Sequence, residues 1–271
     1  MQNLKIYCTS IKYLSILDKL PTYIVPLGLG NCNYPDHWNT EKKGGNILHL
    51  NKYYGELTGL YWIWKNKLKN LKDTDWIGNC HYRKLWLNDC YDAKQKFSSK
   101  SLYSQLLKSE NKIFSECNAI QVKPIFLKNE TLYQQFDKVH KKNILKNCIN
   151  FLNDDDKVNF IKYLNGNELC GLNMFITKVY LLKKYCESLF PWLELCLNYC
   201  IRNDLCKDYN IRLPAFLAER YTSYWFSTHG EKKYLSYARL GKVMLSNNIN
   251  KILNPIKIPF TFRMYPTIHD Y

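Results

Sequence analysis

The feature that most constrains the fold is a junction. "YYGELTGLYWIWKNKLKNL" (Tyr53–Leu71) runs almost directly into "DTDWIGNCHYRKLW" (Asp73–Trp86). Leu57, Leu60, Tyr61 and Trp64 recur at i, i+3, i+4 and i+7, which predicts an amphipathic helix with a heavy aromatic face. Trp76–Cys80 is then a short apolar run bounded by polar residues, the pattern of a buried strand. A helix joined to a buried strand by so short a turn belongs to an α/β layer.

The rest of the chain repeats this alternation. Leu4–Ser10, Tyr23–Asn31, Asn118–Leu127 and Cys170–Lys178 read as strands or extended chain. Helices are expected at Ser101–Glu110, Thr131–Asn150, Asp156–Leu164 and Arg212–Thr228, the last entered through Pro214. A long helical run, Val179–Ile201, contains Pro191, which should kink or divide it. The alternation predicts a mostly parallel sheet flanked by helices, with a helical C-terminal part. No repeat or linker interrupts residues 1–271, so one domain is expected, ending in a basic, irregular segment from about 230 to 271.

Composition narrows the function classes. Hydrophobic residues make up 46%, which excludes a disordered chain. The net charge of +16 favours anionic partners, but the lysines are scattered, with no basic run. A nucleic-acid binder would carry exposed aromatics between its lysines. Here Trp62 and Trp64 fall in the amphipathic helix, so the reading is against nucleic acid. The eleven cysteines are odd in number, form no CxxC pair and follow no secretory leader. A reducing cytoplasm is the expected setting, and the charge allows peripheral contact with an anionic inner membrane. No apolar stretch approaches the roughly 20 residues of a membrane span. Cys196, Cys200 and Cys206 are either part of a metal site or ordinary core thiols. GxSxG, P-loop and HExxH patterns are absent, which removes several hydrolase and kinase readings.

In open α/β sheets ligands bind beyond the carboxyl ends of strands. His81, Tyr82 and Arg83 follow the strand Trp76–Cys80 and fall there. On pattern alone Arg83 either grips a phosphate or pairs with a nearby carboxylate, and His81 either handles protons or sits satisfied in the core. Gly28 and Gly30 suggest a phosphate loop, but Asn33 stands where the dinucleotide pattern needs a third glycine. Asp73 and Asp75 have metal-binding DxD spacing yet precede a strand, and so read as a turn. Glu56 suits a helix start. Glu219 is a carboxylate on an apolar helix and needs a partner or a task. Arg220, at i+1, is not expected to face it. Asn173 is an amide among apolar residues and must hydrogen-bond to backbone or ligand.

Four blocks together carry a resemblance: "NILHLNKYYGELTGLYWIWKN" (Asn46–Asn66), "GNCHYRK" (Gly78–Lys84), "NMFI" (Asn173–Ile176) and "RLPAFLAER" (Arg212–Arg220). In order and spacing they resemble the capsular polysaccharide synthesis family of bacterial glycosyltransferases, from about residue 4 to 228. Departures fall at Leu48, Leu50, Lys84 and Ala215, where the family pattern has Ser, Lys, Arg and Gly. The resemblance implies a GT-A-like, Rossmann-type sheet and a hexosyltransferase using a nucleotide-sugar donor, UDP-linked and conceivably a hexofuranose. The acceptor would be a glycan or lipid-linked chain in capsule or surface polysaccharide synthesis. It implies Glu219 as general base with His81 beside it, and donor contacts from Asn46, Glu56, Tyr82, Arg83, Asn173 and Arg220. His81-Tyr82-Arg83 then stand where related folds keep metal-binding carboxylates, so a cationic clamp is favoured over Mn or Mg and no metal ligand is assigned. The competing class is a non-catalytic scaffold of a glycan-assembly complex.

Overall fold

The computed structural model describes residues 3–89 and 99–240. Eleven strands and eight α-helices are found among them. The strands are β1 (Leu4–Ser10), β2 (Ile24–Gly28), β3 (Asn39–Thr40), β4 (Trp76–His81), β5 (Lys84–Trp86) and β6 (Ala119–Val122). They continue with β7 (Ile125–Phe126), β8 (Glu168–Leu169), β9 (Phe175–Lys178), β10 (Lys232–Leu235) and β11 (Tyr237–Arg239). The helices are α1 (Asn51–Tyr54), α2 (Leu57–Lys67), α3 (Ser99–Gln105), α4 (Leu132–Val139), α5 (Ile144–Ile149), α6 (Asp154–Leu164), α7 (Val179–Arg202) and α8 (Leu213–His229).

Nine strands form one sheet in the order β10-β6-β9-β4-β1-β2-β3, with β5 beside β4 and β11 beside β5. β1 runs parallel to β2 and β4, and β6 parallel to β10. β9 is antiparallel to both of its neighbours, β4 and β6. The sheet is therefore mixed, where a mostly parallel one was expected, because apolar periodicity identifies a strand but carries no information about its direction. The reversal matters for the site: it brings the entry to β9 to the edge where β1 and β4 end.

Side chains alternate between two cores. Ile6, Cys8, Trp76, Cys80 and Ile176 pack on one face, and Tyr7, Ile77 and Phe175 on the other with α2, α7 and α8. Burial on both faces explains why the strands read as continuous apolar runs. Gly78 sits where β4 and β9 approach most tightly, since a Cβ there would lie 2.7 Å from the Phe175 carbonyl.

Several expected boundaries shift. Gly55 (φ 54°) breaks the helix expected over Tyr53–Leu71 into α1 and α2. Asn143 (φ 68°) separates α4 from α5 where one helix was expected. Pro191 does not divide α7, which runs through it for 24 residues with Leu189, Phe190, Trp192 and Leu193 buried around it. That packing outweighs a proline cost of about 3 kcal/mol. In Cys170–Lys178 only the last four residues form a strand. The segment from about 230 is not wholly irregular: β10 and β11 pair with β6 and β5. The expectation for residues 241–271 lies outside the described residues.

Candidate functional site

The register pairs Thr9 at the end of β1 with His81 at the end of β4. Just beyond this edge lies a cavity of about 210 Å³. His81, Tyr82, Arg83, Glu56 and Glu219, expected from sequence, all line it, and so do Lys84 and Arg212, which were not. Asn51 and Gly55 complete its α1–α2 side.

One wall is a turn held in an unusual shape. Leu172 (φ 75°) and Asn173 (φ 49°) are consecutive left-handed residues, a conformation costing of order 1–3 kcal/mol for each non-glycine residue. Side chains from β4, α8 and the N-cap of α2 hold it in place. The Leu172 N–H donates to Glu219 Oε1 at 3.0 Å, and the Leu172 carbonyl lies 2.8 Å from His81 Nε2. Asn79 Nδ2 donates to the Asn173 carbonyl at 2.7 Å while Asn79 Oδ1 accepts from the Phe175 N–H. Asn173 Nδ2 donates to Glu56 Oε1 at 2.9 Å. A carbonyl only accepts, so His81 carries its proton on Nε2, and its Nδ1 faces the Thr9 hydroxyl at 3.2 Å. Burial pushes the imidazole pKa below its usual value, which makes it neutral at pH 7. Nε2 is therefore committed to the turn, while Nδ1 faces a hydroxyl whose one proton is also claimed by the Cys80 carbonyl at 3.1 Å.

Glu56 stands at the N-cap of α2, where its charge suits the helix start; it makes no side-chain capping bond and its carboxylate accepts from Asn173 while lining the cavity. Glu219 is buried, and burial raises its pKa against the lowering effect of Arg220 and the Leu172 N–H. Contrary to expectation, Arg220 does reach Glu219: its NH1 lies 3.3 Å from Oε2. The long guanidinium folds back toward the preceding turn, where NH1 also meets the Phe216 carbonyl, and NH2 bonds Gln135 Oε1 at 2.6 Å. Arg220 does not line the cavity, and neither does Asn46, whose amide donates to the Gly44 carbonyl and accepts from the Leu48 N–H within its own loop.

The opposite wall is cationic. Arg83 is exposed at the tip of the β4–β5 hairpin, its guanidinium 5.2 Å from the Tyr82 ring centre. Lys84 is half-buried beside it, and burial lowers its pKa to about 8 although Glu219 and Glu56 favour its charged form. Arg212 enters from the start of α8 and lies over Gly55, where a Cβ would stand 3.5 Å from its Cζ. Gly55 is required by its backbone (φ 54°), while a Cβ there would meet Arg212 only at ordinary van der Waals contact. No carboxylate lies within 4.0 Å of Arg83, Lys84 or Arg212 among the described residues.

Other candidate motifs resolve into structure. The Gly30 N–H donates to buried Glu41 at 2.7 Å and so is not presented to a phosphate. Asp75 accepts from Asn3 and the Lys72 N–H, and Asp73 pairs with Lys183, which makes them a turn. Cys196, Cys200 and Cys206 gather with Cys148, where mutual contact and burial push the thiols up. Among the described residues no group of three or more His, Cys, Asp or Glu side chains is arranged to hold a metal ion. No described helix is long and apolar enough to cross a membrane.

The sequence profile of a family described as "Domain of unknown function (DUF4422)" matches residues 5–231. The chain belongs to that family. The match spans every element that lines the cavity, from β1 to α8, in this DUF4422 member. Among solved structures it is similar to the WbbM bifunctional glycosyltransferase in its apo form, with a TM-score of 0.73 and 19% identity over 89% of this chain. The matched region is 46% of that protein, so the DUF4422 chain spans about half its length. This is a likeness of fold, and it gives the chain a GT-A-like architecture. No curated protein matches the chain.

Proposed function

We propose that this protein is a glycosyltransferase that binds the diphosphate of a nucleotide-sugar donor in the cavity beyond β1 and β4. The observation that carries this reading is the meeting, at one strand edge, of a buried carboxylate and three cations that have no carboxylate within 4.0 Å among the described residues. An anion satisfies the cations, and a base among apolar residues activates a hydroxyl. The acceptor oxygen attacks the anomeric carbon as the bond to the diphosphate breaks, its electron pair leaving on the diphosphate oxygen. The hydroxyl proton passes to Glu219. Burial raises the affinity of Glu219 for that proton, in the direction a general base near neutral pH requires. Glu56 and Tyr82 line the donor's path, and Asn173 fixes Glu56.

His81 acts in this scheme as a positioning residue, since its Nε2 proton is committed to the Leu172 carbonyl and its Nδ1 faces Thr9. Arg220 supports Glu219 from behind, and Asn46 shapes its own loop. The reading extends to a UDP-linked hexose, with hexofuranoses among the candidate donors, and to a glycan or lipid-linked acceptor of capsule or surface polysaccharide, handled at the cytoplasmic face of the inner membrane. It rests at this finer level on the four sequence blocks. A nucleic-acid role has less support: Trp62 is buried with its indole N–H on the Lys43 carbonyl, and Trp64 stacks on Phe190. The test is a thermal-shift panel of nucleoside diphosphates and nucleotide sugars with and without manganese. Stabilisation by a diphosphate in the absence of metal supports the cationic clamp, and no stabilisation by any nucleotide overturns the reading.

A further inference from the structure

Arg83 was the cation that the sequence singled out, yet the geometry favours its neighbour. Arg83 is exposed at a hairpin tip, its guanidinium 5.2 Å from the Tyr82 ring centre. Lys84 is the first residue of β5, held in register with His81 on one side and Arg239 on the other. Its backbone is thereby fixed between two strands. Its ammonium lies in the cavity wall near two carboxylates, neither of which approaches within salt-bridge distance. A half-buried cation placed this way is poorly solvated and incompletely neutralised, so an entering anion gains more from it than from an exposed guanidinium.

We propose that Lys84 is the residue that grips the leaving diphosphate, and that diphosphate binding is coupled to protonation of its amine. The inference rests on the glycosyltransferase reading and names the residue and protonation state that select its donor. The free amine loses its charge as pH rises through about 8. A bound diphosphate favours the ammonium, so above that pH binding takes up a proton and weakens. The groups facing Lys84 are Glu219 from α8, Glu56 between α1 and α2, Arg239 from β11, and Arg83 and His81 from the β4–β5 hairpin. The arginines stay charged throughout, and His81 is already neutral. Glu219 is the other group whose titration could intrude, because burial raises its pKa.

Titration calorimetry with UDP at pH 7 and pH 9 tests this, repeated near pH 8 in two buffers of different ionisation enthalpy to count protons. A terminal phosphate ionises near pH 6, so the ligand keeps its charge over this range. For an amine with a pKa of about 8, the wild type should lose about tenfold in affinity between pH 7 and 9 and take up protons at pH 8. Lys84→Met should bind weakly at both pH values. Lys84→Arg should keep binding and lose both the pH dependence and the proton uptake, which also reports that the variant is folded. Equal binding by wild type and Lys84→Met overturns the inference and leaves the glycosyltransferase reading standing. Persistent pH dependence in Lys84→Arg assigns the proton to Glu219 and overturns the coupling. A wild type that binds no nucleoside diphosphate at all removes the reading and the inference together.

Discussion

The two walls of the cavity are built on opposite principles. On the β9 side, His81, Asn79, Asn173 and Glu56 spend their hydrogen bonds on the protein, holding the left-handed turn at Leu172–Asn173. On the hairpin side, Arg83, Lys84 and Arg212 have no carboxylate within 4.0 Å among the described residues. Satisfied polar groups set shape, while cations without a close carboxylate leave a positive field in the cavity. Glu219 stands at the boundary, bonded to the turn yet open to the cavity.

This contrast predicts that the two walls respond differently to substitution. The largest effect belongs to the boundary residue. Glu219→Gln keeps an acceptor for the Leu172 N–H but no base, so turnover should fall by roughly 10²–10⁴ while UDP still binds, and loss of the charge beside buried Arg220 should lower the melting temperature. Wild-type turnover in that variant would remove the base assignment. Next comes the satisfied wall. His81→Ala strips the Leu172 carbonyl of its partner, at a cost of about 1–3 kcal/mol. In a chain of this size that is a melting-temperature loss of roughly 2–12 °C, read by calorimetry. An unchanged melting temperature with lost turnover would instead make His81 a proton carrier. On the cationic wall the pattern should invert. Arg212→Ala should weaken UDP binding by about tenfold or more at unchanged melting temperature, the scale of a charge-assisted hydrogen bond. Arg83→Ala, at an exposed tip, should cost only a few-fold, and less as salt is added. A larger loss at Arg83 than at Arg212 would reverse the order of the clamp.

Part of this arrangement was legible in the sequence. The apolar runs located β1, β4 and β9, and the carboxyl-end rule then put His81, Tyr82 and Arg83 at a ligand edge, where the cavity lies. Glu219 was legible because a carboxylate among apolar helix residues is expensive without a purpose. The direction of β9 was not legible, since side-chain alternation is the same for either direction, and the Leu172–Asn173 turn depends on that direction. Lys84 and Arg212 were quoted within larger blocks but not singled out, because their meaning comes from the β5–β11 pairing and the Gly55 break, which are tertiary facts. The one available signal was Gly55 itself, a glycine inside a helical pattern, which marks either a break or a close approach. Arg220 was misjudged from helix geometry alone: an i, i+1 pair can meet when one side chain is long enough to fold back.

If the cations of the hairpin wall form an anion site, the fold itself does not need them. The most direct test is the UDP dissociation constant of the Arg83→Ala/Arg212→Ala double variant, measured by titration calorimetry beside its melting temperature without ligand. The account predicts a loss of affinity of at least about tenfold with a melting temperature equal to that of the wild type. Unchanged UDP binding, or a fall in the melting temperature of the free protein that matches the loss of affinity, would contradict it.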